Sequence, residues 1–242
     1  MQTSISKIME KIILAKEPVH IKLLGDSITQ GVGGTGFEQN GEPIVEPFSR
    51  NPNGYCWANL FKDYMEKNYN CVVTNNACRG TRIEFVMYYF DQLVDETDDI
   101  IICMIGTNNR QQYFKDGPQC TRQEHMTKFY NNVVELYQMF QKAGKDVIFL
   151  ASIPASKERE EGDNVNCWRH FHMNDVHDLY MKSSAACGFP FISLYSLFME
   201  YCETKEIDFE TLLDDGLHPN DKGYDVIFSL LLRALGLVKK ID

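Results

Sequence analysis

Hydrophobic residues in this chain fall into short dense runs, separated by stretches in which they recur at every third or fourth position. The run Val19-His20-Ile21-Lys22-Leu23-Leu24, bounded by Pro18 and Gly25, reads as a buried strand. Cys71 to Asn76, Asp99 to Ile105, Asp146 to Ser152 and Phe189 to Leu194 read the same way. Helical spacing connects them. Trp57, Leu60, Phe61 and Tyr64 mark residues 55–68, and Ile83, Val86, Met87, Phe90 and Leu93 mark 81–94. Phe129, Val133, Leu136, Tyr137 and Phe140 mark 121–143, with Gly144 as the stop. Further helices are expected over 168–187 and after Pro219, through Val226, Ile227, Leu230 and Leu231. Ile5, Ile8, Met9, Ile12 and Ile13 give residues 1–17 a short amphipathic helix.

Strands alternating with helices predict a parallel sheet covered on both faces through right-handed crossovers. The expected architecture is α/β, a three-layer α/β/α sandwich around a five-stranded parallel sheet, in a single domain over 1–242. Two loop insertions interrupt it, at 31–54 and 154–166. The first leaves directly from the turn after the first strand. It is either a substrate-binding flap lined by Phe37, Phe48 and Tyr55 or a surface insertion that never meets a ligand.

Composition narrows the partners. With 242 residues, 44% hydrophobic and 24% charged, the chain can bury a sizeable core. A net charge of −10 argues against a broad nucleic-acid surface. No window approaches the ~18 consecutive apolar residues of a membrane-spanning helix. Residues 1–16 lack the long apolar core of a signal peptide, so a cytoplasmic protein is expected. The eight cysteines form no C-x-x-C pair or zinc spacing. Cys71, Cys103 and Cys187 lie in or beside apolar stretches, which favours reduced thiols, while the even count leaves disulfides open. His170, His172 and His177 cluster with Asp175 and Asp178. On a helix over 168–187, His170 and His177 share a face and His172 points elsewhere, so a polar surface is favoured over a metal site. No metal or organic cofactor is expected.

Candidate chemistry collects where the strands end. Gly25-Asp26-Ser27-Ile28-Thr29-Gln30-Gly31 reads as a tight turn carrying Ser27 just past the first strand, on the edge where open α/β sheets bind ligands. A serine attacks only when a base takes its proton and a third group orients that base. Asp215-Gly216-Leu217-His218-Pro219 offers both. The second strand leads to Gly80 and the third to Gly106-Thr107-Asn108, on the same rim. Taken singly, Ser27 reads as a helix N-cap, Asp215 as an acid at a helix start and Asn108 as a turn residue. Their joint occurrence favours catalysis.

These four blocks, in this order, resemble the SGNH hydrolases, the GDSL-type esterases and lipases. The resemblance implies a flavodoxin-like fold, with Ser27 as nucleophile, His218 as its base and Asp215 holding the imidazole. It also implies an oxyanion hole from the N–H groups of Ser27 and Gly80 and the amide of Asn108. Two features depart from the family pattern: Asn109 stands where many members have Asp, and Arg79 and Arg82 flank Gly80. With Asp26, these three are the candidate substrate contacts. The implied activity is a serine esterase or acylhydrolase acting on a small-molecule ester, a short-chain or carbohydrate O-acetyl ester foremost. Alternatives are a lysophospholipase or thioesterase on longer chains, or a binding domain that has lost turnover. A nucleotide or flavin binder of similar architecture is disfavoured, because no G-x-G-x-x-G or Walker motif follows the first strand. Oligomeric state is not legible at this level.

Overall fold

The computed structural model describes residues 4–37, 54–113, 120–161, 167–169 and 171–237. Its centre is an all-parallel sheet of β1 (Val19–Gly25), β2 (Cys71–Asn75), β3 (Ile100–Met104), β5 (Asp146–Ala151) and β7 (Phe191–Ser193), in the order β2-β1-β3-β5-β7. A separate antiparallel pair joins β4 (Gln111–Tyr113) to β6 (Cys167–Arg169).

β3 and most of β5 are apolar because both sheet faces are covered there, while β1 carries His20 and Lys22 and the edge strand β2 carries Thr74 and Asn75. β3 shows this residue by residue. Ile100, Ile102 and Met104 face one core, while Ile101 and Cys103 face the other. The first core is closed by α1 (Ile5–Ile13), α3 (Trp57–Asn68), α9 (Leu194–Lys205) and α10 (Asp221–Ala234). The second is closed by α4 (Ile83–Tyr88), α5 (Phe90–Leu93), α6 (Arg122–Lys142) and α8 (Met173–Cys187). The result is the expected three-layer sandwich.

Register sets the height of the rim. Gly25 of β1 lies opposite Met104 of β3, so Asp26-Ser27 and Ile105-Gly106 leave the sheet side by side. Beyond β2 the chain keeps following β1, with Asn76 N–H donating to the Leu23 carbonyl (2.9 Å) and Cys78 N–H to that of Gly25 (3.1 Å). This carries Arg79 and Gly80 to the same edge.

Several elements differ from the sequence reading. The turn at 25–31 is the one-turn helix α2 (Ser27–Gln30), and its N-cap is Asp26, not Ser27. The helix expected over 81–94 breaks at Tyr89 into α4 and α5, which lets Phe90 pack on Phe140 with ring centroids 5.3 Å apart. The helix expected from Trp168 begins only at Met173, because Cys167–Arg169 pairs with β4 instead. His172 is therefore a helix cap and His170 lies outside the described residues, which removes the helical face on which the histidines were compared. The stretch 154–166 contains the five-residue helix α7 (Lys157–Glu161). α9 was not anticipated, although Leu194, Phe198 and Cys202 repeat every fourth residue and are all buried. Ile13, read as part of the apolar face of α1, is 55% exposed. Most of the 31–54 segment, including Phe48, lies outside the described residues.

Candidate active site

Ser27 begins α2, a helix fixed from outside itself. The Asp26 carboxylate accepts the Ile28 N–H (3.0 Å), and the Asp26 carbonyl accepts that of Gln30 (2.9 Å). As the first residue of a helix, Ser27 has an N–H without an intrahelical acceptor.

His218 reaches the serine from a loop 191 residues further on, with Nε2 2.8 Å from Ser27 Oγ. Its Nδ1 lies 3.0 Å from Asp215 Oδ2. An ionised carboxylate only accepts hydrogen bonds, so Nδ1 carries the proton and Nε2 accepts from the serine hydroxyl. The loop that presents both residues is closed by the Asp214 N–H on the His218 carbonyl (2.7 Å). Asp215 Oδ1 accepts the N–H groups of Leu217 (3.0 Å) and His218 (2.9 Å). Burial works against a charge on Asp215. The His218 N–H, the imidazole and the Leu217 N–H outweigh it and hold the carboxyl below the ordinary range.

The loop rests on two supports. From α2, Val32 and Gly33 pass directly over it. Gly33 has φ +94°, and a Cβ there would lie 2.4 Å from the Pro219 carbonyl oxygen and 3.1 Å from His218 Cβ. The Tyr224 hydroxyl holds this pass by donating to the Val32 carbonyl (2.6 Å). From the other side, Ser156 N–H donates to the Gly216 carbonyl (2.7 Å). Arg159 of α7 donates to Asp215 twice, from Nη2 to Oδ2 (2.6 Å) and from Nε to the backbone carbonyl (2.8 Å). Gly216 (φ +80°) has no space for a side chain, since a Cβ would meet Ser156 Oγ at 2.5 Å.

Gly80 is exposed in a left-handed turn (φ +75°), beside Arg79, whose N–H donates to Gln30 Oε1 (2.8 Å). Asn108 is half-buried in the 3₁₀ turn Thr107–Arg110 and donates one amide hydrogen to the Thr81 carbonyl (3.1 Å). An Asn amide has a second hydrogen, which leaves one donor for a ligand. Ser27, His218, Asp215, Gly80 and Asn108 thus all belong to the loops at one end of the sheet.

Two of the candidate substrate contacts are occupied inside the protein. Asp26 is fully buried, and burial pushes its carboxyl up, against the Ile28 N–H, the Thr107 hydroxyl and the charges of His218 and Arg110. Asn109, 2% exposed, accepts the Ile83 N–H at Oδ1 (3.0 Å) and donates from Nδ2 to Glu84 Oε2 (2.8 Å). Asn109 therefore ties the rim together and Asp26 caps α2 from inside the core, and neither side chain is open to solvent. Arg79 and Arg82 remain half-buried on either side of Gly80-Thr81.

Sequence reasoning missed Arg159, and with it Glu160 and Arg110. Arg110 is fully buried, donates from Nε to the Thr107 carbonyl (3.0 Å) and pairs through Nη1 with Glu160. The only available signal was a charged stretch, Lys157-Glu158-Arg159-Glu160-Glu161, that reads as solvated surface. Among the described residues no group of His, Cys, Asp and Glu is arranged to hold a metal, and no helix is long and apolar enough to cross a membrane.

Known proteins resemble this arrangement at two levels. In the solved structures, the chain superposes on LAE5, an α/β hydrolase enzyme from the metagenome of Lake Arreo, with a TM-score of 0.68 at 19% identity over 93% of this chain and 98% of that one. The lipase/acylhydrolase from Enterococcus faecalis gives 0.62 at 21% identity, over 93% and 99%. Axe2, an acetylxylan esterase from Geobacillus stearothermophilus, gives 0.65 at 17% identity, over 93% and 98%. At such identities the likeness establishes the fold. Comparison with curated proteins gives no match. The model of the GDSL-like lipase/acylhydrolase family matches residues 23–226, from within β1 to within α10, so that the chain belongs to this family of carboxylic ester hydrolases.

Proposed function

We propose that the chain is a serine esterase acting on a small acyl ester, a carbohydrate O-acetyl ester foremost, through Ser27, His218 and Asp215. The observation that carries this reading is the unbroken line Ser27 Oγ, His218 Nε2 (2.8 Å), His218 Nδ1, Asp215 Oδ2 (3.0 Å). His218 Nε2 accepts the hydroxyl proton as Ser27 Oγ attacks the ester carbonyl carbon. The carbonyl electrons move onto oxygen, where the N–H groups of Ser27 and Gly80 and the amide of Asn108 meet the charge. The C–O bond to the alcohol then breaks, and the alcohol leaves with the proton held on Nε2. Water attacks the acyl-serine, giving a proton to His218, and collapse returns that proton to Ser27 Oγ and releases the acid. Asp215 keeps Nδ1 protonated throughout, so Nε2 is the nitrogen that exchanges protons.

Axe2 is named an acetylxylan esterase, which supports a small acyl group on a sugar. Arg79 and Arg82, beside the oxyanion glycine, are the side chains assigned to the alcohol portion. Initial rates on p-nitrophenyl esters from acetate to octanoate, with Ser27→Ala in parallel, test the reading. Acetate turnover that vanishes in Ser27→Ala is expected, with fluorophosphonate labelling at Ser27. A preference for octanoate overturns the small-acyl assignment. Turnover surviving in Ser27→Ala overturns the mechanism.

A further inference from the structure

α7 is too short to hold its shape alone, since isolated helices need about 12–15 residues to be even marginal in water. It is held instead by the residues it joins. Glu160 accepts from Arg110 Nη1 and from the Met173 N–H (3.0 Å), which fixes α7 to the turn carrying Asn108 and to the start of α8. The Lys157 N–H reaches Glu210 Oε1 (3.4 Å), and the Arg159 N–H reaches Ser156 Oγ (3.3 Å). From this anchored turn, the Arg159 guanidinium holds Asp215 by its carboxylate and by its own backbone carbonyl. A planar fork gripping both ends of one residue fixes that residue's side-chain torsions as well as its position.

We infer that Arg159 is a positioning residue for His218. It acts through Asp215, with Glu160 and the buried Arg110 locking the same short helix to the Asn108 turn. Adjacent residues of α7 thereby tie the proton-transfer half of the site to the oxyanion half. Asp215 Oδ2 is the shared atom, taking Arg159 Nη2 at 2.6 Å and His218 Nδ1 at 3.0 Å. Without Arg159, Oδ1 keeps the Leu217 and His218 N–H groups, but Oδ2 is left with His218 Nδ1 alone and the Asp215 carbonyl loses its guanidinium donor, so the imidazole gains rotational freedom. Arg159 and Asp215 are 39% and 35% exposed at their side chains. Pairs as exposed as this contribute little to stability, so the effect belongs in turnover and not in the melting temperature.

The inference rests on the Ser27–His218–Asp215 reading and is tested separately from it. Arg159→Ala is expected to lower kcat by about 10- to 100-fold with KM nearly unchanged, the size of effect that follows from small misplacement of a catalytic group. Its melting temperature should stay within a few degrees of the parent. Because the site of the missing side chain is partly open, added guanidinium chloride at tens of millimolar should restore part of kcat where equal sodium chloride does not. Arg159→Lys, which keeps one contact and loses the fork, should fall between. In an Asp215→Asn background, Arg159→Ala should cost less than about twofold, because its route to His218 is already broken. If Ser27→Ala is inactive but Arg159→Ala keeps full kcat, or loses kcat without guanidinium rescue, the positioning role is wrong and the triad stands. If Ser27→Ala remains active, the triad reading itself has failed. Should Arg159→Ala not fold, Arg159→Lys with the same kcat as the parent also overturns the role.

Discussion

Gly33→Ala tests whether the chain leaving α2 fixes the height of His218. The new methyl would begin 2.4 Å from the Pro219 carbonyl oxygen, and real Cβ contacts essentially never fall below 3.0 Å, so something must move by at least 0.6 Å. The Pro219 side cannot yield freely. Leu213 and Pro219 form a β-bridge, and the Asp214 N–H holds the His218 carbonyl. Left-handed backbone costs a non-glycine residue about 1–2 kcal/mol, and overpacking a tight contact about 1–3 kcal/mol. A loss of about 2–5 kcal/mol should appear as a lower urea midpoint with unchanged m. Displacing His218 by several tenths of an ångström should cut kcat roughly tenfold, given that about 1 Å can cost a hundredfold. Gly36→Ala separates the two effects, because Gly36 also has positive φ (+78°) but a Cβ there meets nothing closer than 3.9 Å. It should lose only about 1–2 kcal/mol and keep its kcat. If Gly33→Ala matches Gly36→Ala in both measurements, the contact does not govern His218.

Asn108→Ala removes one proposed oxyanion donor and should lower kcat by about 10²–10³-fold in the p-nitrophenyl acetate assay while melting close to the parent. Asn109→Asp would set a carboxylate against Glu84 in a half-buried contact, destabilising by about 1–3 kcal/mol in urea titration, and Glu84→Gln should recover much of that loss. Asp215 titrates below its ordinary value when folded, so its stabilising contribution is full above about pH 4 and lost as pH falls through the folded value. The stability difference between the parent and Asp215→Asn should therefore shrink on acidification; a gap that widens would reverse the sign of this reasoning. Ile102→Ala should cost about 2–5 kcal/mol, since Ile102 is 3% exposed at the centre of the sheet.

The central strands were legible because they are dominated by apolar residues, without interruption in Ile100-Ile101-Ile102-Cys103-Met104. Ser27, Gly80 and Asn108 were legible as residue types at strand ends, and Asp215 and His218 as a pair in the last loop; the fold brings all of them to one rim. The supports beneath them were not. Arg159 and Glu160 lie in a charged pentad with no periodicity, and their partners Asp215 and Arg110 are 56 and 50 residues away. Trp168 looked helical because it precedes a true helix, and only pairing with Gln112 across the small ribbon makes its backbone a strand. Asn109 illustrates the opposite case. Its difference from the family Asp was visible at once, but the reason, Glu84 at 2.8 Å, is a tertiary contact.

The strand order has a temporal consequence. Read in order of synthesis, β1 acquires β2 on one side and β3 on the other, after which β5 and β7 each join the growing outer edge. No strand must be inserted between two already paired, so the sheet can be assembled in the order the ribosome delivers it, as domains commonly do during synthesis. The serine is delivered with the first strand and waits for a partner 191 residues downstream. Throughout that interval a hydroxyl without its base remains chemically inert. On the proposed triad, hydrolytic competence arrives with the last stages of folding, and turnover by a newly made chain would report that the strands before His218 have found their places.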